Sequence, residues 1–254
     1  MLMRHGVRFR PKGFALGSRV EHPQALINEA QWGTPVLAGV GAAEYRLTSD
    51  GDGSLPVYTF CMCPGGIIVP AAASEDLNVV NGMSLFARDG QYANAGCVAG
   101  IDARAFLGDN ASASSTLDWL ESIERSFSRV AGGFRAPACS ISEFIARREP
   151  ASVPASSYPL GLLPAPLWEL LPPPVGTAIA AGLKNFSRRI RGFETGSIMG
   201  LESKSSAPIQ VIRGTGHRCE GFGNLAVVGE GSGFAGGIIS SAVDGITCAM
   251  ELVG

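Results

Sequence analysis

The feature that most restricts how this chain can fold is a cluster of glycines close to its C-terminus. Leu225, Ala226, Val227 and Val228 form a short apolar run of the strand type, which stops at Gly229, Glu230, Gly231, Ser232, Gly233, Phe234, Ala235, Gly236 and Gly237. From Ile238 to Leu252 the pattern predicts one helix. Five glycines in nine positions let a backbone pass close to a bulky polar ligand without Cβ clashes. The helix N-terminus behind them offers unpaired N–H groups to phosphate or carbonyl oxygens. This order implies phosphate or cofactor binding, with Gly229, Glu230, Gly231, Ser232, Gly233, Ala235, Gly236, Gly237 and Ile238 as the contact residues. A tightly packed strand-helix turn is the plain alternative, which a single glycine would favour.

Gly231, Gly233 and Gly236 satisfy GxGxxG after an expected strand, a pattern that normally opens a dinucleotide-binding βαβ unit. Only 18 residues follow Gly236, enough for the helix but not for the second strand that carries a ribose-reading acid. The spacing therefore predicts the last strand and helix of a Rossmann-like domain. The expected organisation is a body over 1–206 and a C-terminal strand-loop-helix part over 207–254.

The rest of the chain reads as α+β, a sheet-rich body with packed helices. Gly13 to Val20, Val57 to Cys63, Ile67 to Pro70, Leu77 to Gly82 and Ala207 to Arg213 have β-type patterns, and Pro23 to Ala30 reads as a short helix. Leu117, Leu120, Ile123, Phe127 and Val130 recur at helical spacing, so Thr116 to Val130 is an amphipathic helix. Ser140 and Glu143 make a capping-box pattern ahead of Phe144 and Ile145. Pro150 to Pro174 holds eight of the sixteen prolines, yet its many leucines predict an ordered, packed loop. Ile179, Leu183, Phe186 and Ile190 predict a further helix.

A formal net charge of -2 without a long Lys/Arg run leaves no electrostatic footprint for nucleic acid. No apolar stretch is long enough to span a bilayer, and no secretory leader pattern follows the basic residues of Met1 to Lys12, so a cytoplasmic protein without membrane partners is expected. The six cysteines are then reduced thiols. No CxxC or paired-His spacing completes a metal site, and none is expected.

Cys61 and Cys63 are expected two apart on one strand face, too close for an easy disulfide. A pair of core thiols outweighs redox work for them. They and His22, the best of the three histidines for proton transfer near neutral pH, are the catalytic candidates, His22 against the alternative of a role at the helix N-terminus before Pro23. Arg19 and Glu21 share a face by alternation and, with Arg88 and Lys204, are candidates for binding a substrate, each against the alternative of a surface charge.

Several strings agree with one family in order along the chain: Phe14 to Gln24 (FALGSRVEHPQ), Thr59 to Gly66 (TFCMCPGG), Asn81 to Gly90 (NGMSLFARDG), Leu201 to Arg213 (LESKSSAPIQVIR) and Gly229 to Gly245 (GEGSGFAGGIISSAVDG). In these the chain resembles poorly characterised bacterial FAD-dependent dehydrogenases. The resemblance implies FAD as cofactor, an unknown small-molecule substrate, NAD(P)H as a candidate electron donor, and a loop at Gly229 to Gly237 that approaches the flavin. It implies for Glu230 a contact to the ribityl hydroxyls. Members have an N-terminal GxGxxG unit that has no counterpart here, so the chain is expected to be a truncated form. Alone it should bind FAD weakly or not at all, lack activity, and self-associate through Ile238, Ile239, Val243, Ile246 and Met250. The competing expectation is a non-catalytic remnant that binds a small molecule or partner chain.

Overall fold

The computed structural model describes residues 1–253. In chain order the elements are β1 (Phe9–Pro11), β2 (Phe14–Pro23), α1 (Gln24–Trp32), β3 (Thr48–Ser49), β4 (Val57–Pro70), β5 (Val80–Ser84), β6 (Tyr92–Ile101), α2 (Arg104–Leu107), α3 (Ala113–Ala131), β7 (Ala136–Ser140), α4 (Ile141–Ala146), β8 (Leu162–Pro164), α5 (Leu167–Leu170), α6 (Pro173–Arg189), β9 (Ser197–Glu202), β10 (Ile209–Val211) and α7 (Ile238–Val253). The fold is α+β. Among the described residues the larger sheet has eight strands, ordered β3-β4-β6-β2-β9-β7-β8, with β5 paired to β4. No helix there is long and apolar enough to cross a membrane.

By contact the chain divides into two compact units. The first joins Met1–Ala15, Ile101–Leu120 and the chain from Lys204 onward; the second joins Leu16–Gly100 and Glu121–Ser203. In the first, β1 pairs antiparallel with β10 through Phe9↔Val211, and Val7, Val211 and Cys219 form a small core with Phe9, Leu225 and Val227 packed on it. The second has its own core of Ile68, Val80, Ala136, Ala138, Tyr158 and Met199.

The capping box forms as its residues require. The Ser140 hydroxyl accepts from Glu143 N at 3.2 Å, and the Glu143 carboxylate accepts from Ser140 N at 2.9 Å. Ser140→Ala is expected to lower the unfolding free energy by about 1 kcal/mol, measured as a shift in the urea midpoint. The proline-rich stretch carries β8 and α5 and buries Tyr158, Leu167 and Leu171.

Two local expectations change. Leu225 to Val228 forms no regular strand, and its only pairing is an isolated bridge between Ala226 and Arg218. Its carbonyls are taken singly, Leu225 O by Cys219 N at 2.8 Å and Val227 O by the Arg213 guanidinium at 3.1 Å, so no continuous ladder develops. In the second unit the two β-type runs at 57–63 and 67–70 join into the single strand β4. The Pro-Gly-Gly between them makes no sharp turn. Along β6, Phe60 faces Gly96, Cys63 faces Asn94 and Gly66 faces Tyr92, so β4 holds two residues against one, twice in succession. These consecutive β-bulges absorb Cys61–Met62 and Pro64–Gly65 while the strand continues.

Candidate functional site

Each unit presents one arrangement of interest. In the first unit the glycine loop is pinned at its start and at its middle. Gly229 N donates to the Asp244 carboxylate at 2.9 Å, and the same carboxylate receives Arg213 at 2.6 and 3.1 Å. Arg213 also lies over the Phe234 ring, 3.7 Å from its centroid. Its guanidinium holds the Asp244 carboxyl below the usual carboxylate range. At the middle of the loop Gln210 Nε2 donates to Gly233 O at 3.1 Å. A Cβ at Gly233 would stand 2.3 Å from Ile209 O, and its φ of 81° is left-handed, so the fold itself requires glycine there.

Gly231 and Gly236 differ. Nothing lies within 4 Å of the place where a Cβ would stand at either, and neither has a left-handed φ. The chain's own packing gives no reason for glycine at these two positions. Glu230, between Gly229 and Gly231, is exposed, whereas Ser232 is buried and donates to Gly229 O at 2.6 Å. Ala235 is buried, and Gly237 and Ile238 open α7, whose first-turn N–H groups have no helical acceptor. The result is a fixed backbone cradle with open space before two glycines and a helix N-terminus beside them. Along α7, Asp244 and Cys248 face the body of the unit, while Ile238, Ile239, Val243, Ile246 and Met250 are all exposed.

In the second unit the centre is Arg19, which is 0% exposed. Its guanidinium donates to Asn81 Oδ1 at 2.6 Å, to the carbonyl of Cys61 at 2.6 Å and to Glu202, also buried, at 3.3 Å. Gly82 admits this packing because a Cβ there would stand 2.1 Å from Asn94 Oδ1 and 2.6 Å from Arg19 Cζ. Neither Asn94 amide atom has a hydrogen-bond partner among the described residues, and Asn94 is fully buried. The bulge places Cys61 at a φ of 45°, exposed, and breaks the strand alternation expected to set Cys61 and Cys63 on one face. Half-buried Cys63 donates its thiol to Cys61 O at 3.3 Å. Burial pushes the Cys63 thiol up, against the pull of Arg19 and a hydrogen bond with Ser84. Cys61 borders an open cleft of about 620 Å³ with Glu44, Tyr45, Arg46, Tyr58 and Met62.

The structure thus gathers Arg19, Cys61 and Cys63 and leaves the other candidates elsewhere. Glu21 is buried and accepts from Ser157 N at 3.1 Å and from the Ser157 hydroxyl; burial raises its carboxyl against these bonds. His22 is buried against Phe193, ring centroids 4.2 Å apart, with Nε2 2.8 Å from Phe193 O. Burial lowers it to about 4, leaving the ring neutral at physiological pH. Arg88 is exposed, pairs with Glu44 at 2.5 Å and lines a second cleft of about 560 Å³ with Trp32, Leu37 and Asp89. Lys204 is exposed and belongs to the first unit. Among the described residues no group of three or more His, Cys, Asp or Glu side chains could hold a metal ion. Sequence reasoning did not single out Asn81, Asn94, Glu202, Arg213 or Asp244. All but Asn94 lie inside the family-like strings, which was the available signal.

Comparison with known proteins places the chain in a family. A curated protein of Clostridium beijerinckii (strain ATCC 51743 / NCIMB 8052), described only as an uncharacterized protein, is 38% identical over 267 residues, covering 100% of this chain and 48% of its own length. The chain therefore spans about half the length of that relative. The family model described as "FAD-dependent protein, C-terminal domain-like" matches residues 13–205, a stretch that holds the whole Arg19 cluster. The chain belongs to the FAD-dependent protein, C-terminal domain-like family.

Proposed function

We propose that this chain is the substrate-side and flavin-contacting portion of an FAD-dependent oxidoreductase of the dehydrogenase type. The observation that carries the proposal is the pair Gly231 and Gly236, glycines that the chain's own packing does not need and that stand before open space at a helix N-terminus. Gly231, Gly236 and the first N–H groups of α7 would hold the flavin end of FAD, and Glu230 would accept from its ribityl hydroxyls. FAD, when bound, supplies hydride acceptance; the chain's part is to fix its position through the Asp244 and Gln210 anchors of the loop. The remaining dinucleotide contacts would come from the part of the relative's length that this chain does not span. The apolar face of α7 would be covered there, or by self-association when the chain stands alone. A small-molecule substrate and NAD(P)H complete the proposed reaction.

The test is FAD occupancy. The chain purified alone is expected to be colourless, because contacts at one end of a dinucleotide leave the adenosine unheld. In a fusion with the other half of the Clostridium beijerinckii relative, Gly236→Leu is expected to lower FAD affinity by about tenfold or more. The melting temperature of the FAD-free fusion should be unchanged, since the leucine enters open space. Unchanged affinity with an unchanged melting temperature would refute the flavin assignment.

A further inference from the structure

We propose that Cys61 and Cys63 form a dithiol–disulfide couple, with Cys61 as the attacking thiol, Cys63 as the resolving thiol and a low-molecular-weight disulfide as the oxidant. The inference does not depend on the flavin proposal. Cys61 occupies the first position of a β-bulge at a φ of 45°, a place that bulges of this hand give to glycine. A side chain there is strained, and such strain persists only where the surroundings enforce it. Here they do: a fully buried guanidinium, Arg19, spends its shortest backbone contact, 2.6 Å, on the carbonyl of Cys61.

The surroundings also divide the roles. Cys61 is exposed and borders the 620 Å³ cleft, where a ligand of a few tens of atoms can reach it. By contrast Cys97, Cys139, Cys219 and Cys248 are buried, and burial pushes Cys97 and Cys139 up to about 12, which makes them inert. Cys63 is half-buried and raised by burial, so it is the slower first attacker. In a flat strand, thiols two residues apart have their Cβ atoms separated by about twice the 3.3 Å rise, too far for a disulfide with Cβ atoms about 3.8 Å apart. The bulge breaks that regular spacing. The Cys63 sulfur already turns back to 3.3 Å from the Cys61 carbonyl.

The exchange balances as follows. The Cys61 thiolate attacks one sulfur of the oxidant RSSR, forming a mixed disulfide and breaking the S–S bond; the departing thiolate takes up the proton that Cys61 released. The Cys63 thiolate then attacks Cys61 Sγ, forming the Cys61–Cys63 bond and expelling the second RSH. The protein pair loses two electrons and two protons, and the oxidant gains both as two thiols.

Incubating the native chain with glutathione disulfide and mapping its peptides by mass tests this. Wild type is expected to lose the thiols of residues 61 and 63 to an intrachain disulfide that retains no glutathione. Cys63→Ser should stop at one glutathione on Cys61, and Cys61→Ser should take up none at either position. Cys61→Gly should abolish the exchange while raising the urea midpoint, because it relieves the left-handed strain; a cysteine kept only for packing would give a lower midpoint. Wild type that keeps both thiols in excess glutathione disulfide, or a Cys63→Ser protein without adduct at Cys61, overturns the proposal.

Discussion

Arg19→Met is expected to lower the unfolding free energy by about 3–5 kcal/mol, the range for removing one partner of a buried ion pair. The charge of Glu202 would remain, 2% exposed, without the guanidinium 3.3 Å away. Asn81 Oδ1 and the Cys61 carbonyl would each lose a 2.6 Å donor. Methionine fills most of the volume, so the loss measures the ion pair and hydrogen bonds removed and not a cavity. Adding Glu202→Leu should return a large part of the stability, because an apolar pair of similar volume desolvates no charge. Urea unfolding of the two single variants and the double variant reads this directly. Additive losses in the double variant would show that the two charges do not depend on each other.

The second large effect is acid sensitivity through His22. The ring is 1% exposed and lowered to about 4 from an ordinary 6.5. Below the ordinary value the unfolded chain takes up a proton that the folded chain refuses. Stability is therefore full above about pH 6.5 and lost progressively as pH falls to about 4, by a total on the order of 3 kcal/mol. Glu21 acts in the opposite sense, since burial raises its carboxyl and its contribution is lost as pH rises. The useful quantity is thus the difference between wild type and His22→Gln, in which Glu21 is common to both. The wild-type curve should fall more steeply than the variant's between pH 6.5 and 4. Parallel curves would mean that the ring is protonated in the folded protein.

Much of the architecture was legible because it depends on neighbours in sequence. The helical spacing from Leu117 to Val130 lies within α3, the Ser140–Glu143 pair caps α4, and the run from Ile238 became α7. The α+β class followed from such local periods. Leu225 to Val228 shows the limit: its apolar residues suit a strand, but a strand also needs a neighbour offering a ladder, and Cys219 and Arg213 took its carbonyls one at a time.

The site divides in the same way. By itself the sequence determined where glycines and charges occur, and so pointed to the 229–237 loop and to Arg19, Cys61 and Cys63. It could not say which glycines serve the fold. Gly233 is held against Ile209 and Gln210, residues more than twenty positions earlier, whereas Gly231 and Gly236 meet nothing. Nor could alternation foresee that β4 would bulge at Cys61 and again at Gly65, because a bulge is a property of two strands in register and not of one. The tertiary structure alone decided that Arg19 is a buried clamp on Cys61, with Asn81, Asn94 and Glu202 brought in from three other strands. The physical reason is that burial and hydrogen-bond partnership depend on distances in space, which residue spacing along the chain does not contain.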